Sequence, residues 1–169
     1  MGPQGESIAE HLGKKYGLSA EQLAQNGEAL RQRGEALGFR FDLQKRDRIY
    51  NTFDAHRLLL LAEREGLPGQ QRALKKALLA AYHGRAESPE SHEVLLRLAT
   101  EVGLDPARVQ AVLASDELAD EVRAQELMYQ RAGIRSVPAV VINDRHLISG
   151  GQPAEVFEQA LRQIAAGAA

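Results

Sequence analysis

The stretch that decides the fold is Val137-Pro138-Ala139-Val140-Val141-Ile142-Asn143-Asp144-Arg145-His146-Leu147-Ile148-Ser149-Gly150-Gly151. The β-branched run after the proline is typical of a strand, the Asn-Asp pair tolerates turn backbone, and the Leu-Ile-Ser that follows returns as a second strand. Residues 138–150 therefore predict a β-hairpin. Because the first strand is apolar at every position, we expect it to be buried on both faces of a sheet.

The rest of the chain offers this hairpin no partner with a comparable strand signal. One other segment alternates, residues 39–43, and it predicts only a short extended piece. A two-stranded sheet alone is marginally stable in water. The sequence therefore requires partner strands, either from another chain or from a part of the sheet outside this polypeptide.

Most of the remaining sequence is typical of helices. A glycine followed by an apolar residue recurs at Gly17, Gly66 and Gly103, and predicts helix ends with left-handed backbone at these glycines. Ser88-Pro89 and Asp105-Pro106 each predict an N-cap before a proline in the first helical position. The predicted helices are 5–16, 19–37, 52–65, 69–84, 89–102, 106–114, 116–132 and 153–166.

Two apolar stripes at helical spacing predict faces turned toward a core. The first belongs to the helix 89–102, and it consists of Leu95, Leu98 and Val102. The second belongs to the last helix, and it consists of Val156, Phe157, Ala160, Leu161 and Ile164.

Composition places the chain among ordinary globular proteins. Its 169 residues are 44% hydrophobic and 26% charged, and a net charge of −2 argues against nucleic acid as a partner. No apolar run is long enough to cross a bilayer and the polar start is unlike a signal peptide, so we expect a cytoplasmic location without a membrane partner. The chain has no cysteine, which excludes disulfides, thiolate metal sites and dithiol chemistry from these residues. No histidine pair has zinc-site spacing, so we expect no metal.

Six short segments together carry a resemblance to a known family. They are GIRSVPAVVI (133–142), LISGGQP (147–153), NTFDAHR (51–57), LKKAL (74–78), AYH (81–83) and GLD (103–105). In this order and spacing they resemble the DsbA family of thioredoxin-fold proteins. The most similar part of that family is the FrnE-like branch, related to 2-hydroxychromene-2-carboxylate isomerase and kappa-class glutathione transferase.

The resemblance implies a mostly α fold with a small β element. Residues 1–132 would form a DsbA-type helical domain, and residues 133–169 would form the C-terminal part of a thioredoxin-like α/β domain. Family members begin with a strand, a Cys-x-x-Cys (or a serine in the isomerases) at a helix start, and a second strand. This sequence is absent here. We therefore expect the N-terminal part of the thioredoxin-like domain, with its dithiol and the strands that flank the hairpin, to lie outside this polypeptide.

The resemblance also implies three places of substrate contact. Val137 and Pro138 would form a cis-proline loop whose backbone pairs with an extended peptide or with glutathione, although a proline that opens a strand needs no function. Asn51 and Thr52 are candidate N-caps on a segment that faces the active cleft in the relatives, with Arg57 one turn later as a candidate carboxylate ligand.

The third place follows the hairpin. Ser149, Gly150 and Gly151 would hold the γ-glutamyl end of glutathione, because glycines leave backbone N–H groups accessible beside a helix start. The alternative is a plain turn from strand to helix.

Three functions follow as hypotheses. The first is protein thiol–disulfide exchange through a mixed disulfide, in which this chain supplies a substrate groove and no catalytic residue. The second is a glutathione-dependent isomerase or transferase, with glutathione as the one cofactor considered. The third is a non-catalytic binding module that dimerises, because an open sheet edge and an apolar patch invite self-association. The expected partners are protein thiols and disulfides or glutathione, and a second copy of the chain.

Overall fold

A computed structural model describes residues 5–167 of the chain. The chain divides into two compact units, one ending at Val122 and the other beginning at Arg123. The division falls inside one helix, and the predicted domain limits at residues 132 and 133 stay a prediction. The described residues are mostly helical with two small antiparallel sheets, which confirms the predicted fold class.

The first unit is mostly helical. In chain order its elements are β1 (Glu6–Ser7), α1 (Ile8–Tyr16), α2 (Ala20–Ala36), β2 (Arg48–Ile49), α3 (Phe53–Arg64), α4 (Gln70–Leu79), α5 (His92–Glu101) and α6 (Pro106–Leu113). Four of its helices, α1, α2, α5 and α6, begin at an N-cap residue whose side chain accepts a backbone hydrogen bond. Ser19 begins α2 with a capping box: the Ser19 hydroxyl accepts from Gln22 N–H, and the side-chain oxygen of Gln22 accepts from Ser19 N–H. Asp105 caps α6 ahead of Pro106, as predicted. A π-helical turn, Ala80–Gly84, continues α4.

The core of the first unit lies between α3, α4, α5 and α6. Its largest fully buried side chains are Leu58, Leu61, Leu74, Leu95, Leu98, Val109 and Val112. The predicted stripe of α5 is confirmed, since Leu95 and Leu98 are buried and Val102 packs against the same cluster. Burying one such leucine contributes about 1.5–3 kcal/mol, so this cluster is the main source of the unit's stability.

Three local predictions in the first unit are wrong. The segment 39–43 is a loop with a turn, and residues 6–7 form a strand where a helix start was predicted. Gly66 does not have left-handed backbone, unlike Gly17 and Gly103. A close approach of the backbone, rather than its conformation, favours glycine at this position, because a Cβ there would lie 2.4 Å from the Ala62 carbonyl oxygen.

The Ser88-Pro89 cap is also wrong. The hydroxyl of Ser88 accepts from the amide of Glu90 in a turn, and α5 begins three residues later, where the hydroxyl of Ser91 accepts from Val94 N–H. Proline is favoured both in a turn of this kind and in the first turn of a helix. The residues around Pro89 therefore do not show which of the two structures forms.

The second unit contains the predicted hairpin. After α7 (Ala119–Arg131), which begins in the first unit, β3 (Ala139–Ile142) pairs antiparallel with β4 (His146–Ser149), and α8 (Ala154–Ala165) follows. Asn143 and Asp144 make the tight turn with positive φ angles of 54° each. The hairpin is thus confirmed to within one residue of its predicted limits.

The second unit lacks a core of its own among the residues described. From Arg123 to Gly167 none is buried. Val140 and Val141 are 39% and 45% exposed, so the expectation of a strand buried on both faces is wrong for these residues. The α8 stripe exists, but Val156 and Leu161 are exposed rather than core. The physical reason is that a two-stranded sheet and one helix cannot enclose these side chains.

Candidate functional site

The loop before the hairpin has the geometry that the family resemblance implies. The Val137-Pro138 peptide bond is cis, as expected. The Val137 side chain and backbone are 88% exposed, a large fraction for an apolar residue that precedes a strand. Within residues 5–167 its N–H and C=O have no hydrogen-bond partner. The loop therefore presents one unpaired donor and one unpaired acceptor to solvent.

The structure brings two of the predicted contact segments together. The amide of Gly150 donates to the Pro138 carbonyl oxygen over 2.8 Å, immediately beyond the Ala139–Ser149 pair that ends the hairpin. The 137–138 loop and the 149–151 turn are therefore neighbours at the open end of the hairpin. They were 11 residues or more apart in the sequence, and only antiparallel pairing with this register joins them.

The turn itself is held by Gln152. Its side-chain amide donates to the carbonyl of Ser149 over 3.0 Å, and its backbone N–H donates to the carbonyl of Gly150. Gly150 has φ of 82°, a conformation that favours glycine, and a Cβ at Gly151 would meet nothing within 4 Å. The turn thus has open space around a glycine backbone, as a small-ligand site requires.

Asn51 and Thr52 lie in the first unit, at the start of α3. Thr52 is the N-cap by backbone geometry but makes no side-chain cap bond. The cap is made by Asn51, whose Oδ1 accepts from Phe53 N–H over 2.9 Å. The amide of Asn51 donates in turn to a carboxylate oxygen of Glu90. Both predicted residues are exposed, and the Thr52 hydroxyl, which makes no cap bond, stays accessible.

Arg57 is a structural residue in this fold. Its side chain is only 4% exposed, and its guanidinium donates to the carbonyl oxygens of Val112, Ser115 and Glu117 and to Asp54 Oδ1. These acceptors include the carbonyl of Val112 in the last turn of α6, which also accepts from Ser115 N–H, and the carbonyl of Ser115 just beyond the helix. With four internal acceptors, the guanidinium has little capacity left for a substrate carboxylate.

Asp54 connects this buried arginine to the surface. One carboxylate oxygen accepts from Arg57 over 2.8 Å, and the other lies 2.8 Å from Nε2 of the half-exposed His92. Partial burial works to raise the pKa of Asp54, but the hydrogen bonds from Arg57 and His92 outweigh it and hold the pKa below its ordinary value. No local sequence signal predicts the contact between Asp54 and His92, because the two residues are 38 positions apart in the chain.

No group of metal-ligating side chains forms within the part of the chain that the structure describes. In the same residues, no helix has the length and apolar character needed to cross a membrane.

The order of elements defines the class of protein. A helical unit is followed by a cis-proline loop, a β-hairpin and a terminal helix, which is the arrangement of a thioredoxin-like protein of the DsbA type. Residues 3–162 match the profile of the DSBA-like thioredoxin domain, and the chain belongs to this family.

Two solved structures are similar to the chain. A probable DsbA oxidoreductase from Streptomyces coelicolor is 38% identical, with a TM-score of 0.81 over 94% of this chain and 67% of that one. A candidate protein disulfide isomerase from Nitrosomonas europaea is 22% identical, with a TM-score of 0.67 over 95% of this chain and 89% of that one, and it supports the fold alone. No curated protein sequence gave a significant match.

Proposed function

We propose that this chain supplies the substrate-binding part of a protein thiol–disulfide oxidoreductase of the FrnE-like branch. Membership of a family of thiol–disulfide oxidoreductases supports the reaction class. The single observation that carries the proposal is the loop at Val137, with an exposed and unpaired backbone tied to the glycine turn. Because the 169 residues contain no cysteine, the dithiol that works with them belongs to other residues.

The chemistry assigns this chain a binding role. A thiolate of that dithiol attacks one sulfur of a substrate disulfide, forms a mixed disulfide and displaces the second sulfur as a thiolate. The second thiol of the dithiol then attacks the mixed disulfide, which releases the reduced substrate and leaves the dithiol oxidised. Through both steps the Val137 backbone would pair with the substrate as an added strand segment, which fixes the peptide without contributing sulfur.

The loop can be tested with the chain alone by NMR titration. The probe is an extended peptide whose single cysteine is alkylated, so that binding is measured without exchange. We expect the amide signals of Val137, Ala139 and Gly150 to shift. Val137→Pro removes the N–H donor and should weaken binding about tenfold, the effect of one or two lost hydrogen bonds.

The matched control is Val156→Lys, which alters an exposed valine of the same unit that lies on α8. It should leave the affinity unchanged. Peptide binding that shifts other amides, or that survives Val137→Pro at full strength, would contradict the proposed groove.

The source of the dithiol needs a separate measurement, which is the intact mass and N-terminal sequence of the protein in its source cells. A mass above 18.5 kDa with a Cys-x-x-Cys near the start would support the oxidoreductase. A mass of 18.5 kDa starting at Met1 would refute it and leave binding or assembly as the function.

A glutathione-dependent isomerase or transferase is a second candidate. It is favoured by the open space around Gly151 and by the contact of this turn with the 137–138 loop. In that case reduced glutathione should shift the amides of Ser149, Gly150 and Gly151 in the same titration. No shift at millimolar glutathione would exclude this candidate.

A third candidate is a non-catalytic module that forms a homo-oligomer. It is favoured by the second unit, in which every residue described is at least partly exposed. Light scattering at micromolar concentration should then report a dimer or larger species, and a monomer would contradict it. A cytoplasmic location stays a prediction on the sequence alone.

A further inference from the structure

A segment of the first unit packs over the π-helical turn at the end of α4. We call residues 37–50 the strap, because they run from the end of α2 to the start of α3 across this turn. The Asp42 amide donates to the His83 carbonyl oxygen over 2.9 Å, and the Phe41 ring meets the His83 imidazole edge-on with centroids 5.6 Å apart. Further along the strap, Arg46 lies over the Tyr82 ring at 5.3 Å. Single π-helical turns occur often at functional sites.

The ring of His83 is placed as a neutral group. Its Nδ1 is buried and has no hydrogen-bond partner, and the same holds for Nε of Arg46. Protonation would add an N–H without an acceptor and a second positive charge beside the guanidinium. A buried donor left without a partner is costly, and a buried like-charge neighbour adds to that cost.

We propose that the strap is a pH-sensitive element, in which protonation of His83 releases residues 37–50 from the π-helical turn. Release would loosen the segment that leads directly into Asn51 and Thr52. The proposal concerns regulation and does not depend on the oxidoreductase assignment, because every contact it uses lies in the first unit.

The groups around the ring support this direction. Among residues 5–167, Arg46 is the one charge that acts on the ring, whereas the Asp42 carboxylate is directed to Lys45 and Arg85 is paired with Glu87. The neutral hydroxyl of Tyr82 donates to the Arg48 carbonyl oxygen and adds no charge beside the His83 ring. Burial lowers the pKa of His83, and the positive charge of Arg46 lowers it further.

A second histidine lies near the far end of the strap. There β2 pairs with β1, and His11 Nδ1 lies 3.1 Å from a carboxylate oxygen of Glu6. This contact joins α1 to β1 and involves no residue of the π-helical turn, so a variant of His11 serves as the control for His83.

The size of the effect follows from linkage. In the released strap His83 titrates near an ordinary pKa of about 6.5, whereas the seated ring resists protonation. Between pH 7.5 and 5.5 the opening equilibrium should therefore rise by up to about tenfold. The same factor should appear in the hydrogen exchange of amides that the strap protects.

The experiment is amide hydrogen exchange on the whole chain at both pH values, corrected for intrinsic exchange rates. The reporter is the Asp42 amide, which is bonded only when the strap is seated. The internal control is the amide of Gly150, whose hydrogen bond to the Pro138 carbonyl oxygen lies in the second unit and involves no strap residue. We expect Asp42 to lose up to about tenfold in protection at pH 5.5 while Gly150 is unchanged.

Two variants assign the effect. His83→Phe keeps an aromatic ring but cannot be protonated, so protection of Asp42 should be equal at both pH values. His11→Gln is the matched control and should keep the wild-type pH dependence. If His83→Phe does not fold, His83→Gln and an NMR titration of the His83 ring in the wild-type chain replace it.

Protection of Asp42 that does not change with pH would overturn the proposal. So would a pH effect that persists in the His83 variants, or a His83 ring that becomes protonated while the strap stays protected.

Discussion

Removal of the Arg57 guanidinium should be the most damaging single change to the first unit outside its leucine core. The side chain is 4% exposed and donates to three backbone carbonyls and to Asp54. Arg57→Met keeps most of the apolar stem, so the loss isolates the polar contacts. The perturbation removes the guanidinium donor from the carbonyls of Val112, Ser115 and Glu117 and from the carboxylate of Asp54.

The expected magnitude follows from burial. A hydrogen bond that involves a charged group contributes about 1.5–3 kcal/mol, but four bonds from one guanidinium do not add. Removing one partner of a buried ion pair costs about 3–5 kcal/mol in total. We expect Arg57→Met to lower the free energy of unfolding by that amount, a large part of the 5–15 kcal/mol (approximate) typical of a domain.

The assay is urea unfolding followed by far-UV circular dichroism, with the change in unfolding free energy taken from midpoints at a common m-value. Arg64→Met is the matched control, on the same helix and also paired with a carboxylate, that of Glu121, but 48% exposed. It should change stability by about 0.5 kcal/mol or less. A cost below about 1 kcal/mol for Arg57→Met, with an unchanged m-value, would refute the structural role argued for Arg57.

Three further predictions concern single positions of the first unit. Gly34→Ala should lower the melting temperature, because its Cβ would lie 2.6 Å from the Phe41 ring, whereas Gly27→Ala, at 3.4 Å from Leu43, should raise it through helix propensity. Ala86→Gly should stabilise by roughly 0.5–1 kcal/mol in urea unfolding, because alanine is held at φ of 57°; no gain would mean that this φ is not strained. The pKa of Asp54 is lower in the folded protein than the ordinary carboxyl value of about 4, so its ionised carboxylate stabilises the fold at pH values above about 4. This stabilisation is lost as the pH falls through the folded-state pKa. The wild type should therefore lose stability in acid more steeply than Asp54→Asn. Parallel pH profiles for these two proteins would contradict the Asp54 prediction.

Local residue preferences were sufficient to predict a helix start where the signal is made by adjacent residues. Asp105 and Pro106 are neighbours, and the cap forms as predicted. These local signals failed where two candidate caps lie three residues apart. Ser88 and Ser91 are both caps by residue type, and α5 begins after Ser91 because Ser88 is used in a turn. The choice depends on where the helix docks, which the local sequence does not contain.

The parts of the candidate site that could be predicted are those that the family resemblance covers. Resemblance located the loop at Pro138 and the turn at Gly150, and the register of the hairpin then joined them. It could not locate the contact between Asp54 and His92 or the packing of His83 under the strap. Both depend on tertiary contacts between segments that are distant in the chain.

The arginine cap of α6 has a consequence for how the first unit folds. The carbonyl oxygens of Val112, in the last turn of α6, and of Ser115, just beyond it, accept from a guanidinium 55 and 58 residues earlier in the chain, on α3. The turn that follows α6 supplies a further donor to Val112, the amide of Ser115. A peptide that contains α6 without α3 would keep this local bond but lose the guanidinium, so its C-terminal end should fray more than in the whole unit. Order at Val112 and Ser115 therefore reports long-range assembly as well as local helix formation.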